Sequence, residues 1–303
     1  MEQSQWSLLR QTLREITRSF PRLPRSVYSD FLIASLYFWA VLHDRPMTWA
    51  IDRTHYNRIF RPRKIPSISQ LNRRIASDRF QQILHHVHKR LGGESLFKGL
   101  IIDGQALCVS PVSQDRDARI GKISGGFGKG YKLHAVVTSE GNITMFSVMP
   151  LNIDERPVAQ SMLDRITHPL DGVIIMADGN YDTHVFHKQV ARRNAFLITR
   201  LRRGGARKRK RGNHGHPVTR RQMGRARRLL VDLWENAPGL MRRVYDHRKQ
   251  IERRFGNLSS IPGLLDRLPK FVRGLARVRR FVGAKICLYH AHRLAKSLAL
   301  KAV

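Results

Sequence analysis

The chain has 303 residues, 42% of them hydrophobic, and 56 Lys and Arg against 22 Asp and Glu leave a formal net charge of +34. This length supports one sizeable domain and a smaller one. So large a positive surplus repels itself unless a polyanion neutralises it, so we expect a nucleic-acid partner. An anionic membrane is the competing polyanion, but no stretch reaches the roughly 18 apolar residues of a spanning helix, and we expect no membrane partner. Two cysteines, Cys108 and Cys287, are too few for a disulfide framework, and we expect a reducing cytoplasm.

Residues 1–95 predict a small helical domain. The apolar run at 30–42 predicts a buried helix, and Ser67 or Ser69 would begin a short helix that ends near Ile75. This short helix resembles the recognition half of a helix-turn-helix, whose exposed side chains read base edges. The alternative, a helical pair with a solvated basic face, stays open. The candidate DNA-binding residues displayed there are Gln70, Asn72, Arg73 and Arg74.

Residues 96–303 predict an α/β domain. Apolar runs predict strands at 96–104, 130–140, 142–150, 172–178 and 195–200, with helices at 154–166 and near 182–193. A turn at Glu140-Gly141-Asn142 would join the second and third strands. This order is typical of a mixed sheet with helices on its faces. A basic insertion is expected near 201–240, with an exposed arm at 202–216, and a basic amphipathic helix near 271–298 closes the chain.

Three acidic residues suggest metal-assisted chemistry on nucleic acid. Asp103 ends the apolar run "GLIIDG", and Asp178 ends the run "GVIIMADG". Read as a helix, "YDHRKQIERRF" puts Tyr245, Arg248 and Glu252 on one face. If the three carboxylates converge, they supply the oxygen ligands that Mg²⁺ prefers, and Arg248 supplies a donor fork for phosphate.

The motifs in this sequence resemble those of the DDE transposases of bacterial insertion sequences, in the broad IS-four/IS-five-like group. The first aspartate lies in "IIDG", and a glycine-rich turn leads to a Lys-x-His strand in "GGFGKGYKLHAVV". The second aspartate lies in "ADGNYD". The family's third motif runs Y-x2-R-x3-E-x6-K, and Tyr245, Arg248 and Glu252 match its first three positions. The resemblance covers residues 96–260.

This resemblance implies a ribonuclease-H-like catalytic domain that cuts DNA at transposon ends and transfers the strand into target DNA. It implies Asp103, Asp178 and Glu252 as catalytic residues and ligands of two Mg²⁺ ions, for which Mn²⁺ is expected to substitute. Arg248 would hold a phosphate, Tyr245 would position the terminal nucleotide, and Lys132 is a further candidate for DNA binding. The implied partners are double-stranded DNA, as terminal inverted repeats and target, and a second copy of the chain in a homodimer. The implied location is the bacterial nucleoid.

Two departures from the family pattern keep alternatives open. Ser259 replaces the lysine of the third motif, which removes a cation expected near the DNA end. In the second motif Gly179-Asn180 stands where the family has a residue followed by glycine, and asparagine tolerates a positive φ there. One alternative is an inactive, transposase-derived DNA-binding protein. The other is a ribonuclease-H-like nuclease with a non-transposon substrate.

Four further features have competing interpretations. We expect His134 to be a hydrogen-bonded structural histidine rather than part of the site, and Asp182 a turn or cap residue rather than a fourth ligand. We expect Trp234 to pack against the sheet rather than stack on a base. The glycines of 125–130 would either cradle a phosphate or form a hairpin loop.

Overall fold

Helices make up the first part of the chain. The computed structural model describes residues 2–92, 99–201, 224–249, 265 and 268–301. None of the helices in these ranges is both long and apolar enough to cross a membrane. The N-terminal helices are α1 (Glu2–Ser19), α2 (Asp30–Leu42), α3 (Met47–Ala50), α4 (Ile68–Ala76) and α5 (Asp78–Gly92).

Two predicted N-terminal helices are confirmed. Helix α2 is buried from Ile33 to Leu42, as its unbroken apolar run predicts, and Ser29 caps it by accepting from the Leu32 N–H. Helix α4 begins after Ser67, whose hydroxyl accepts from the Gln70 N–H while the Gln70 side chain accepts from the Ser67 N–H. This capping box explains why the chain turns helical at this point.

A six-stranded mixed sheet follows. Its strands are β1 (Gly99–Cys108), β2 (Arg119–Ile123), β3 (Gly126–Thr138), β4 (Ile143–Pro150), β5 (Ile174–Ala177) and β6 (Phe196–Ile198). Strand β1 pairs antiparallel with β3 on one side and parallel with β5 on the other, and β6 continues parallel to β5. Strands β2 and β4 both pair antiparallel with the long β3, on the edge away from β1.

Helices cover both faces of this sheet. They are α6 (Glu155–Asp164), α7 (His184–Ala191), α8 (Arg225–Asn236), α9 (Pro238–Asp246) and α10 (Leu275–Lys301). Helices α6 and α7 pack on the face that carries Leu100 and Ile102. Helices α8, α9 and α10 share a second core with the N-terminal helices and with Ile101 and Leu107. The predicted ribonuclease-H-like mixed sheet with flanking helices, preceded by a helical part, is confirmed.

Hairpin turns shape the strand edges. Gly141 has a φ of 90°, so the turn predicted at 140–142 is confirmed. Strand β2 was not predicted; it forms a second hairpin with β3 through Gly125 and Gly126, which have φ values of 84° and 154°. A Cβ on Gly130 would lie 2.2 Å from the Leu107 carbonyl oxygen, so close strand packing accounts for this glycine.

Two predictions for the C-terminal half need correction. Helix α8 lies within the segment 201–240 that was expected to be a basic insertion, because Leu229, Leu230, Leu233 and Trp234 form an apolar stripe. The helix predicted near 271–298 is present as α10, but it is not amphipathic, since its residues from Phe281 to Ala291 are buried on every side. Its neighbours are α1, α2, α5 and β4. The predicted domain boundary at residue 95 stays a prediction.

A buried charge cluster joins the N-terminal helices. Asp30 accepts from Arg74 at 2.6 Å and from Arg79 at 2.7 Å, and its side chain is 12% exposed. We expect Asp30→Ala to lower the free energy of unfolding by about 2–4 kcal/mol, because it leaves two partly buried guanidinium groups without their carboxylate. Urea unfolding followed by circular dichroism measures this change.

The matched control is Glu15→Ala, which removes a carboxylate 3.6 Å from Arg90 where the two side chains are 44% and 68% exposed. We expect it to cost about 0–1 kcal/mol, because exposed ion pairs contribute little. Equal losses in the two variants would contradict a structural role for the Asp30 cluster.

Candidate active site

The two predicted aspartates lie side by side at one edge of the sheet. Ile102 of β1 is the register partner of Ala177 of β5, so Asp103 and Asp178 are the next residue along each strand. Paired strands lie about 5 Å apart, so both carboxylates project into one small region. Asp103 does not end its strand as predicted, because β1 runs on to Cys108. The pairing with β5 is what ends there.

Asp103 is held by a backbone donor and by Arg248. The Gly104 N–H donates to Oδ1 at 2.8 Å, and Arg248 Nη1 donates to Oδ2 at 2.8 Å. Burial raises the pKa of Asp103 to about 6, although the Gly104 N–H and Arg248 both lower it. The charges of Asp178 and Glu155 raise this pKa further, so the site concentrates negative charge.

Asp178 begins a short 3-10 turn, Gly179–Tyr181, and caps it by accepting from the Asn180 N–H. A Cβ on Gly179 would lie 3.2 Å from the Arg200 carbonyl oxygen, so a larger residue would crowd the end of β6. The positive φ considered for Asn180 is not needed, since Asn180 is not among the positive-φ residues. The exchanged Gly-Asn order is therefore compatible with the turn.

Glu155 is a third acidic residue of this region that the sequence prediction missed as a site residue. Its Oε1 accepts from Lys132 Nζ, and its Oε2 accepts from the Tyr181 hydroxyl at 3.2 Å. A signal was available, because β4 runs parallel to β1 and Glu155 follows β4 closely. Residues after the carboxyl ends of parallel strands meet at one edge of a sheet.

Lys132 and His134 share one face of β3, as predicted, but neither side chain is on the outer surface. The Lys132 side chain is 12% exposed and pairs with Glu155. His134 is fully buried, and in the part of the chain that the structure describes neither ring nitrogen has a hydrogen-bond partner. The prediction of a hydrogen-bonded histidine is therefore wrong. Burial lowers the pKa of His134 to about 4, so its imidazole is neutral at pH 7.

Tyr245 and Arg248 lie beside the aspartates but not on one continuous helix. Helix α9 ends at Asp246, and Arg248 follows in a turn whose N–H donates to the Tyr245 carbonyl oxygen at 2.9 Å. The single helix predicted through this segment is therefore wrong between the two residues. The ion pair with Asp103 fixes Arg248 instead. Glu252 and Ser259 lie outside the described residues.

The Tyr245 ring is 94% buried, with a relative exposure of 6%. Its centroid lies 6.1 Å from that of Trp234, and the guanidinium groups of Arg200 and Arg248 lie 5.4 and 5.6 Å from it. The Trp234 Nε1–H donates to the Thr199 carbonyl oxygen at 2.9 Å, which confirms the predicted packing against the sheet. A cavity of about 590 Å³ opens beside these rings, lined by Arg200, Leu201, Trp234, Pro238, Arg242, Tyr245 and Asp246.

Asp182 is fully paired within the protein. It accepts from Arg227 at 2.7 and 2.8 Å and lies 3.2 Å from His187 Nε2. This buried ion pair connects the Asp178 turn to α8, and Asp182 is the residue that ends this turn, which confirms the predicted turn or cap position.

The two arginines predicted to read DNA differ in placement. Arg73 is exposed on α4, together with Gln70 and Asn72. Arg74 points inward, since it donates to the Ser26 hydroxyl at 2.7 Å as well as to Asp30. Leu71 and Ile75 are buried and set this orientation. The helix therefore displays Arg73, while Arg74 packs it against α2.

The chemistry of the donor set fits a hard divalent cation. Carboxylate oxygens are the ligands that Mg²⁺ prefers, and one or two of them suffice when substrate phosphates complete the shell. Asp103 and Asp178 meet that requirement. Within the described ranges no group of three or more His, Cys, Asp or Glu side chains is arranged to hold a metal ion.

The structure is thus an α/β domain with a ribonuclease-H-like mixed sheet, in which two aspartates lie together beside the paired strands β1 and β5. Residues 94–290 match the family model described as the transposase DDE domain. This match covers more than half of the chain, so the chain belongs to the DDE transposase family.

Two other comparisons add little. The cryo-EM structure of a piggyBac transposase synaptic complex with hairpin DNA is similar at 11% identity and a TM-score of 0.38. That alignment covers 97% of this chain and 73% of the other. The comparison with curated proteins gives no match.

The pKa of Asp103 makes stability depend on pH. This pKa is about 6 in the folded protein against an ordinary value of 3.8, so the folded protein holds the proton more tightly than the unfolded chain. The contribution of Asp103 to the free energy of unfolding therefore falls as pH rises from about 4 to 6, by about 3 kcal/mol in total. In metal-free buffer we expect Asp103→Asn to stabilise the protein more at pH 7.5 than at pH 5, by about 1–2 kcal/mol.

Urea unfolding in EDTA at the two pH values measures this difference between Asp103→Asn and the wild type. An equal effect of the substitution at both pH values would mean that Asp103 ionises as readily in the folded protein as in the unfolded chain.

Proposed function

We propose that this transposase cuts DNA at the ends of its own element and joins the freed strand to target DNA, as a member of the IS-four/IS-five-like group. The observation that carries the proposal is that Asp103 and Asp178 directly follow the paired residues Ile102 of β1 and Ala177 of β5, with Arg248 bound to Asp103. Two carboxylates placed this close together lower the stability of the folded protein unless a cation lies between them. Its presence in a basic chain points to metal-assisted reaction at a phosphate.

Asp103 and Asp178 would hold the divalent ions, and Glu252 of the third motif is proposed as the remaining ligand. When bound, two such ions activate the nucleophile on one side of the phosphorus and stabilise the leaving oxygen on the other. Mg²⁺ is the proposed cofactor, with Mn²⁺ as a substitute, because both take oxygen ligands.

The protein's own groups orient the DNA. Arg248 lies against Asp103 and presents a guanidinium fork, which suits a bidentate contact with the phosphate that is attacked. In the first step a water oxygen would bond to phosphorus and the 3′-oxygen would leave as a hydroxyl. In the second step that hydroxyl would attack a target phosphodiester and displace its 3′-oxygen. Tyr245 would support the terminal nucleotide from the rim of the basic cavity beside Arg200 and Arg242.

The surface charge supports DNA as the partner. The formal net charge is +34, and the exposed face of α4 carries Arg73 at the position proposed to meet a groove. Cations that contact phosphates release condensed counterions, so affinity should fall steeply with salt. We propose terminal inverted repeats and target DNA as the two ligands, and a homodimer that brings two ends together.

The test is cleavage of a labelled duplex that carries the element's terminal repeat, in Mg²⁺ or EDTA. We expect wild-type protein to cut at the repeat boundary only with Mg²⁺. Asp103→Ala, Asp178→Ala and Glu252→Ala should each reduce cutting by at least about 10³-fold, because each removes a ligand oxygen. Duplex binding should persist in all three variants, measured by fluorescence anisotropy.

Three other results of this cleavage assay would contradict the proposed function. Cutting that persists in all three variants would refute the site. Tight binding without cutting by the wild type would favour the inactive descendant that Ser259 suggests, and Ser259→Lys is the variant to test next. Metal-dependent cutting without preference for the repeat would favour a nuclease with another substrate.

Arg73 and Arg74 provide an internal comparison for DNA binding. We expect Arg73→Ala to weaken duplex binding and to reduce the salt slope by about 1, with little change in the unfolding midpoint. Arg74→Ala should instead lower stability, because it breaks the contacts with Asp30 and Ser26. Anisotropy titrations at several salt concentrations, with urea unfolding alongside, separate the two effects. A fully stable Arg74→Ala variant with lost binding would reverse these assignments.

A further inference from the structure

Three side chains form a connected polar chain next to the aspartate pair. Lys132 of β3 donates to Glu155 Oε1, and the Tyr181 hydroxyl donates to Glu155 Oε2 at 3.2 Å. Tyr181 is fully buried, and the Lys132 and Glu155 side chains are 12% and 23% exposed. Burial raises the pKa of Tyr181 well above its ordinary value, so its hydroxyl stays a donor at neutral pH.

This chain of contacts crosses three separate elements. Lys132 lies in the middle of β3, Glu155 is the first residue of α6, and Tyr181 is the last residue of the turn that Asp178 begins. Asp178 lies at the start of that short turn, and Tyr181 anchors its other end to Glu155. The position of Asp178 therefore depends on a contact made three residues later.

The anchor resists an electrostatic force. Asp103 and Asp178 directly follow the paired residues Ile102 and Ala177, and Glu155 contacts the turn that Asp178 begins, so like charges lie close together here. Strand β5 ends at Ala177, so its ladder does not hold Asp178 against this repulsion. Lys132 neutralises Glu155, which allows Glu155 to lie close to the aspartates and to hold Tyr181. Asp182, next to Tyr181, is pinned separately by Arg227.

We propose that Glu155 is a positioning residue: with Lys132 and through Tyr181, it fixes the Asp178 carboxylate for metal binding. It acts through Tyr181 and is not itself a ligand, because its two carboxylate oxygens already accept from Lys132 and from the Tyr181 hydroxyl. This assignment rests on the proposed function, because it presumes that Asp178 binds a divalent ion.

The test is Mn²⁺ binding to the full chain without DNA, followed by electron paramagnetic resonance of free Mn²⁺ at pH 7.5. We expect Tyr181→Phe and Glu155→Gln each to weaken Mn²⁺ binding by about 10-fold, as outer-shell substitutions do. The double variant should be no weaker than either single one, because both act through the same contact. Lys132→Met removes the other contact to Glu155, and this variant should also bind Mn²⁺ more weakly than the wild type.

The matched control is Tyr289→Phe. The Tyr289 hydroxyl is also buried and donates to the Gly141 carbonyl oxygen at 3.1 Å, on a different part of the sheet. It should lose stability to a similar extent as Tyr181→Phe while its Mn²⁺ affinity stays within twofold of the wild type. A loss of affinity common to both variants would show a general loss of stability and would overturn the proposal.

Four other results would also overturn the proposal. Unchanged Mn²⁺ affinity in Tyr181→Phe and Glu155→Gln would mean that these contacts contribute only to packing. Loss of binding in Glu155→Gln as complete as in Asp178→Ala, with Tyr181→Phe unaffected, would make Glu155 a ligand. A wild type that binds no Mn²⁺, or binding that survives Asp178→Ala, would refute the proposed function and this inference with it, so the two failures are distinguishable.

Discussion

Repulsion between carboxylates at one edge of the sheet is the constraint that shapes the rest of the molecule. Asp103 and Asp178 are forced together by the parallel pairing of β1 with β5, and Glu155 adds a third negative charge nearby. Positively charged side chains held in place by the fold offset this repulsion. Arg248 contacts Asp103, and Lys132 contacts Glu155. The positive charge of the chain thus acts inside the site as well as on the surface.

Much of the fold follows from local sequence. Apolar runs of the right length predicted β4, β5 and α2, and a capping serine at 67 or 69 predicted α4, because these signals are contained within a few neighbouring residues. The aspartate pair could be predicted from the sequence for a related reason. Each aspartate directly follows an apolar run, and the order of elements brings parallel strand ends to a common edge.

The rest depended on contacts between distant parts of the chain. Helix α10 has many polar residues in its sequence, yet Lys285 is buried against Asp44 at 2.7 Å, a pairing that no local pattern predicts. Arg74 was predicted as an exposed DNA reader, and Glu155 was not predicted as a site residue, for the same reason. Their partners, Asp30 and Tyr181, lie 44 and 26 residues away in the sequence. The positions of Glu252 and of the arm at 202–216 lie outside the described residues.

The placement of α10 has a consequence for how the protein is made. The Gln5 amide of α1 donates to the Leu288 carbonyl oxygen at 2.9 Å, across 283 residues of sequence, and α1 and α5 both pack on α10. On the ribosome the N-terminal helices emerge first, but the apolar surface they share with α10 cannot be buried until α10 has left the exit tunnel. Contacts of such long range form slowly, because a very large loop must close before they form. The nascent chain therefore carries an exposed hydrophobic face through most of its synthesis, a state in which proteins are prone to aggregate and to bind chaperones.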